Sequence, residues 1–278
     1  MKVSVIIPTY KPQDYLWTCL DSLKSQTFPK EDFELIIILN GCNEPYYSLI
    51  KNYIASDLRE INTILIQTDT GGVSNARNIG IERARGEYIT FIDDDDYVSA
   101  SYLKSLFDSS AEGHVSISNL LNFNDGENVF FKSSISANYD RIKDKDLCSI
   151  EEARSYFSGP VAKLFHRDVI GNRRFNLRFT IGEDTLFNFT VSNKIRKVKP
   201  TSPDAIYYRR VRPNSANFRR QSLFSLIKTM SKSIFEYTKL MLLHPFQYNF
   251  YFYISRCGGA IFGVYSSYMT RKKANNGN

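Results

Sequence analysis

Short, almost uninterrupted apolar runs in the first hundred residues constrain this chain more than any other feature. Val3-Ser4-Val5-Ile6-Ile7 stops at Pro8, Phe33 to Leu39 stops at Asn40-Gly41, Thr63 to Ile66 leads toward Gly71-Gly72, and Tyr88 to Ile92 stops at Asp93. Between them, Leu16, Leu20 and Leu23, then Ile50, Tyr53, Ile54 and Leu58, fall at helical spacing, and Val73 to Ala84 has helix-forming composition. Strands that are apolar on both faces and alternate with helices build a parallel sheet covered on both sides, an α/β layer architecture. Ligands of such sheets bind beyond the C-terminal ends of the strands. Pro8-Thr9-Tyr10, Asn40-Gly41, Asp69 to Gly72 and the residues after Ile92 are therefore expected along one edge, around one cleft.

The residues after Ile92 are four aspartates, Asp93 to Asp96, in a chain whose net charge is +7. Carboxylates held together at the end of a buried strand raise one another's pKa unless a cation intervenes. A divalent metal resolves the repulsion, and hard oxygen donors suit Mg2+ or Mn2+, whose shell is commonly completed by water and substrate phosphates. The competing reading is a solvated acidic turn.

The excess positive charge sits elsewhere. Residues 216–278 hold nine Lys or Arg against Glu236 alone, together with 13 of the 39 aromatic residues. Leu223, Leu226, Ile227, Met230, Ile234, Tyr237 and Met241 form an apolar helical stripe, with Lys228, Lys232 and Lys239 on the opposite one. Pro245 ends this helix, and the following apolar stretch is divided by Arg256, too broken to span a bilayer. Two readings stay open: a helical hairpin packed on the core or on a second subunit as a homodimer, and docking on anionic lipid headgroups. Nucleic acid is a weaker partner, since it leaves the aspartate cleft without a purpose. The N-terminus reads as a first strand and not as a signal peptide, so a cytoplasmic protein is expected, peripheral on the inner membrane face if the hairpin docks there. Cys19, Cys42, Cys148 and Cys257 lack CxxC spacing, which argues for reduced thiols, with Cys19 and Cys257 partly buried, and against zinc or a disulfide framework.

Past Tyr97 the pattern loosens. Ser101 to Ser109 reads as a helix and His114 to Leu121 as a strand, joined through the turn Asn124-Asp125-Gly126 to a second strand over Asn128 to Phe131. Ser133 to Asp146 reads as a surface loop, and Val161 to Phe165 as a new apolar run after Ser158-Gly159-Pro160.

Val5-Ile6-Ile7-Pro8-Thr9-Tyr10, Gly72 to Gly80, Phe91 to Tyr97 and Ile181-Gly182-Glu183-Asp184-Thr185-Leu186-Phe187 together resemble the signature blocks of family 2 inverting glycosyltransferases of the bacterial surface-polysaccharide type, with the GT-A fold. The resemblance covers roughly residues 1–215. It implies a Rossmann-like, mostly parallel central sheet flanked by helices. It divides the chain into a nucleotide-sugar-binding half at 1–98, an acceptor-binding half at 99–215 and a C-terminal helical segment at 216–278.

The resemblance also implies roles. Asp95 would hold the metal, Mn2+ or Mg2+, which neutralises the leaving diphosphate of a nucleotide-sugar donor. Asp94 would face the ribose or the metal-bound phosphate, Asp93 would support the turn or the ribose, and Asp96 would cap the next segment. Pro8, Thr9 and Tyr10 would cradle the base, with Gly72 beside them and Asn40 on the uracil edge, although many relatives carry Asp-Asp-Gly-Ser where this chain has Leu39-Asn40-Gly41-Cys42. Arg77 would contact phosphate or brace the aspartates. Lys163 would line the cleft below the donor, and the Tyr208 to Ser215 segment, with Arg210 and Arg212, would close over the diphosphate. Arg212 stands where many relatives have His, which favours clamping charge over ligating metal. Asp184 would be the base that deprotonates the acceptor hydroxyl of a glycan or lipid-linked acceptor, oriented by Glu183. A helix-capping acidic pair accounts for the same two residues, and both roles are compatible. A catalytically silent sugar-nucleotide-binding protein on the same fold is the alternative. It would be expected to lose Asp95 or Asp184, and both are present.

Overall fold

The structure, a computed structural model, describes residues 1–127, 129–212 and 222–276. Its first half is the alternation read above: β1 (Val3–Thr9), α1 (Tyr15–Lys24), β2 (Phe33–Asn40), α2 (Tyr46–Asp57), β3 (Asn62–Thr68), α3 (Val73–Arg83) and β4 (Tyr88–Phe91). Every residue of β1 and β2 is buried, which is why neither alternates apolar with polar positions. Helix α3 lies close on this layer because residue 80 is glycine: a Cβ there would come within 2.3 Å of Ile6 Cγ2.

The chain continues through β5 (Tyr97–Val98), α4 (Tyr102–Asp108), β6 (His114–Ile117), β7 (Asn119–Asn124), β8 (Phe130–Lys132), α5 (Ser134–Ile142), β9 (Lys163–His166), α6 (Arg167–Ile170), α7 (Glu183–Val191), β10 (Lys197–Pro200) and β11 (Ile206–Val211). The main sheet has the order β10-β6-β9-β4-β1-β2-β3. Within it β9 runs antiparallel to both neighbours, while the other pairs are parallel. A second sheet, ordered β5-β11-β7-β8, joins the strand that follows the aspartates to the end of the second half. The mostly parallel α/β sheet flanked by helices, with a helical C-terminal part, is thus the architecture found.

Some local expectations change. The single strand expected over His114 to Leu121 is two strands in different sheets, separated at Ser118, whose N–H bonds to the Ala162 carbonyl instead of a sheet partner. The loop expected over Ser133 to Asp146 contains α5. Ser133 caps it through the Ile135 and Ser136 N–H groups, and Tyr139 and Ile142 are buried beneath it. All four cysteines are free, and Cys148 is buried as well as Cys19.

At the C-terminus α8 (Leu223–Leu243) and α9 (Phe250–Asn276) form a hairpin. One side is core: Tyr237, Tyr248 and Phe252 are buried around Phe189 of α7, with ring centroids 4.9, 5.1 and 6.0 Å away. The other side leaves Phe224, Phe235, Leu242, Phe262 and Tyr265 more than half exposed. Among the described residues no helix is long and apolar enough to cross a membrane.

Candidate active site at the strand ends

The loops expected to converge do so, and they are fastened to one another. Asn40, at the end of β2, donates from Nδ2 to the Thr9 carbonyl at 2.7 Å and accepts the Gly72 N–H on Oδ1 at 2.9 Å. Gly41 has φ +67°, and a Cβ on it would sit 2.9 Å from Gly71 Cα, so the two backbones touch. Thr9 is buried and Tyr10 is 54% exposed, the open face of this floor. The expectation that Asn40 offers its amide to a base edge is corrected here. The side chain is 4% exposed and both ends of the amide are committed to backbone, because three loops meet there and need a group that donates and accepts.

Each aspartate of the run has its own partners. Asp94 accepts the Thr9 hydroxyl. Asp95 pairs with Arg212 at 2.5 Å, whose guanidinium lies over the Tyr15 ring at 4.8 Å. Arg210 donates from Nε to the Asp95 carbonyl and reaches Asp125 at 2.6 Å. Asp96 is not a cap. It is buried and accepts the Tyr207 hydroxyl at 2.6 Å and the Arg210 N–H at 2.7 Å, tying the run to β11. Burial pushes Asp94 up to about 7, with the charges of Asp95 and Asp93 adding to it and the Thr9 hydrogen bond opposing. Burial also raises Asp95, with Asp93 adding and Arg212 pulling it back. Burial and the neighbouring carboxylates thus both disfavour the charged forms of Asp94 and Asp95.

Arg77 is the brace and not a free phosphate ligand. It is 3% exposed, with Nη2 on Asp93 at 2.9 Å and Nη1 on Asp184 at 2.7 Å. Asp184 enters from the first turn of α7, after Gly182 in the left-handed conformation, with Glu183 beside it. Burial raises Asp184 to about 6. Arg77 pulls it down, while Glu183 and Asp93 push it up. Lys163 is corrected from cleft lining to support. It is fully buried, and its ammonium donates to the carbonyls of Tyr156, Gly159 and Val161, which uses all three hydrogens. Burial lowers it to about 7, although the nearby Asp184 charge pulls it up.

Two participants had no signal in the sequence. Tyr207 accepts the Asp93 N–H at 3.1 Å while donating to Asp96, and Tyr15 stacks on Arg212. Tyr15, Asp125 and Arg210 also line a polar hollow of about 560 Å3 beside the run. Pro213, Asn214 and Ser215, the end of the segment expected to close over the diphosphate, lie outside the described residues.

Among the described residues no three His, Cys, Asp or Glu side chains converge as a metal cage. Asp94 and Asp95, two partly open carboxylates side by side at the strand end and both raised chiefly by burial, instead fit a cation held by one or two carboxylates, with its shell completed by substrate phosphates.

The profile of glycosyl transferase family 2 matches residues 4–196. Glycosyltransferase GlyA of Streptococcus pneumoniae is 26% identical over 247 residues, 84% of this chain and 34% of that protein. Poly(ribitol-phosphate) beta-glucosyltransferase of Bacillus spizizenii is 29% identical over 217 residues, 75% of this chain and 32% of that protein. The chain thus spans about a third of the length of these two relatives. The crystal structure of S. aureus TarS 1-349 in complex with UDP-GlcNAc superposes with a TM-score of 0.68 at 24% identity, covering 85% of this chain and 66% of that one, a likeness of fold.

Proposed function

Because the chain belongs to glycosyl transferase family 2, we propose that it moves a sugar from a UDP-sugar to an acceptor hydroxyl with inversion, in the assembly of a bacterial surface polysaccharide on a lipid-linked glycan. The observation that carries this reading is the guanidinium of Arg77, which joins Asp184 to Asp93 and so holds a raised-pKa carboxylate beside the aspartate run.

The acceptor oxygen attacks the anomeric carbon from the face opposite the diphosphate. As that C–O bond forms, the bond to the diphosphate oxygen breaks and the hydroxyl proton passes to Asp184. A carboxylate raised to about 6 is ionised at neutral pH yet basic enough to take the proton. Arg77 aims it, and Lys163 braces the turn beneath. Asp95, with Asp94 beside it, would hold Mn2+ or Mg2+, which supplies Lewis-acid neutralisation of the departing diphosphate. Arg210 and Arg212, at the rim of the run, add cationic charge for the same oxygens. The exposed aromatic and lysine face of the hairpin supports docking on the inner, anionic face of the membrane, where a lipid-linked acceptor would be presented.

Asp184→Asn should lower transfer on the order of a thousandfold, while UDP and Mn2+ binding by calorimetry stay close to wild type. Loss of nucleotide binding in that variant would overturn the assignment of the base.

A further inference from the structure

A cavity of about 400 Å3 opens between the start of α7 and the helical hairpin. Gly182 and Thr185, on either side of Asp184 in sequence, line it, and no residue of the aspartate run does. Leu226, Met230 and Val264 give it apolar walls. Its floor on α9 is open because residue 263 is glycine, where an added Cβ would meet nothing within 4 Å.

The cavity is also cationic. Arg256 is 5% exposed, and its guanidinium donates to the carbonyls of Arg154 and Phe157 and to the Ser158 hydroxyl, at 3.1, 3.2 and 3.4 Å. Its Nε has no partner. Arg154 reaches across from the other wall, with Nη2 3.8 Å from where a Cβ on Gly259 would sit. Among the described residues no carboxylate pairs with either arginine. Buried cations are ordinarily paired with an acid, and Arg256 instead meets neutral carbonyls, the Ser158 hydroxyl, the Phe252 ring at 4.9 Å and a second cation. Burial first and Arg154 second lower it to about 10.

We propose that this cavity anchors the acceptor through a phosphate ester carried on an apolar chain, the phosphate shared by Arg154 and Arg256 and the chain lying along α8 and α9. The forked donors of two arginines match phosphate oxygens, and the walls match a hydrocarbon better than a polyol. The assignment rests on the reading of Asp184 as the base, which is flanked in sequence by the lining residues Gly182 and Thr185 without itself lining the cavity.

Calorimetry with decyl phosphate, glycerol phosphate and decanol, each below its aggregation limit, tests it. Decyl phosphate should bind at least tenfold more tightly than the other two, and Arg154→Gln and Gly263→Leu should each weaken it about tenfold. Arg154 is exposed and Gly263 borders open space, so both variants should fold, and UDP affinity in each reports that they have. Equal binding of glycerol phosphate would mean a polar phosphate site, and equal binding of decanol a purely apolar cavity. Either result overturns the proposal, as does unchanged affinity in both variants. Asp184→Asn separates the two claims. If that variant transfers sugar normally while decyl phosphate still depends on Arg154, the base is wrong and the anchor stands. If it loses transfer but decyl phosphate ignores Arg154, the base stands and the anchor fails.

Discussion

The aspartate platform and the helical hairpin handle charge in opposite ways. Each acid of the run meets a partner inside the molecule: Asp93 has Arg77, Asp94 has Thr9, Asp95 has Arg212, and Asp96 has Tyr207 and the Arg210 N–H. On the hairpin, Lys228, Lys232 and Lys239 are exposed with no acid paired to them among the described residues, next to aromatic rings that face outward. The first region is organised before any ligand arrives. The second has no acidic complement for these lysines among the described residues. The two are mechanically joined, because the hairpin's buried rings pack on Phe189 of α7, the helix that begins beside Asp184.

Substitution at Arg77 strains this contrast most. Arg77→Met leaves Asp93 and Asp184 without their shared cation and should cost about 3 kcal/mol or more of stability in urea unfolding. An unmoved midpoint would mean that the platform is not organised by its internal pairs. Next in size is the pH dependence. Transfer should rise about tenfold per unit up to pH about 6 and then flatten, as Asp184 ionises. Stability should run the other way. With the folded value above the ordinary carboxylate range, the folded chain binds a proton that the unfolded chain has released, so this group's contribution falls as pH rises from about 4 to about 6. Asp184→Asn should abolish the slope in transfer and remove this group's share of the slope in stability, leaving the share of Asp94, whose folded value is also raised. A slope in transfer that survives would move the base elsewhere. The smallest effect belongs to the hairpin. Lys228→Glu with Lys232→Glu should release the protein from anionic vesicles in flotation, at about 1 kcal/mol per lysine removed, while turnover on a soluble acceptor stays within twofold. Unchanged flotation would leave the outward rings to cover another protein surface.

The strands were legible because a strand buried on both faces has no alternation to misread, as in Phe33 to Leu39. The aspartate run was legible because nothing in packing calls for it. What the sequence could not reveal is which way a side chain turns where loops meet. Asn40 and Lys163 sit at the right places and point inward, since Thr9, Gly72 and the carbonyls around Gly159 need partners that become visible only in three dimensions. Tyr207 reaches the run from more than a hundred residues away, through a second sheet that no local pattern announced, and Arg212, expected near the diphosphate, turns out to pair with Asp95 just past that sheet's strand. Helix α5 escaped notice because its polar composition outweighed the capping serines and the spacing of Ile135, Tyr139 and Ile142.

The backbone contact between Gly41 and Gly71 bears on how freely this floor can be redesigned. Aspartate at position 40 would keep an acceptor for Gly72 but offer no donor to the Thr9 carbonyl, and a side chain at position 41 would press the two loops apart. Neighbouring positions are thus coupled, and single replacements at 40, 41 or 72 should be penalised where compensated sets are not. Libraries that vary this floor have their independent freedom at Tyr10, on the open face, and must treat positions 40, 41 and 72 as one unit of inheritance.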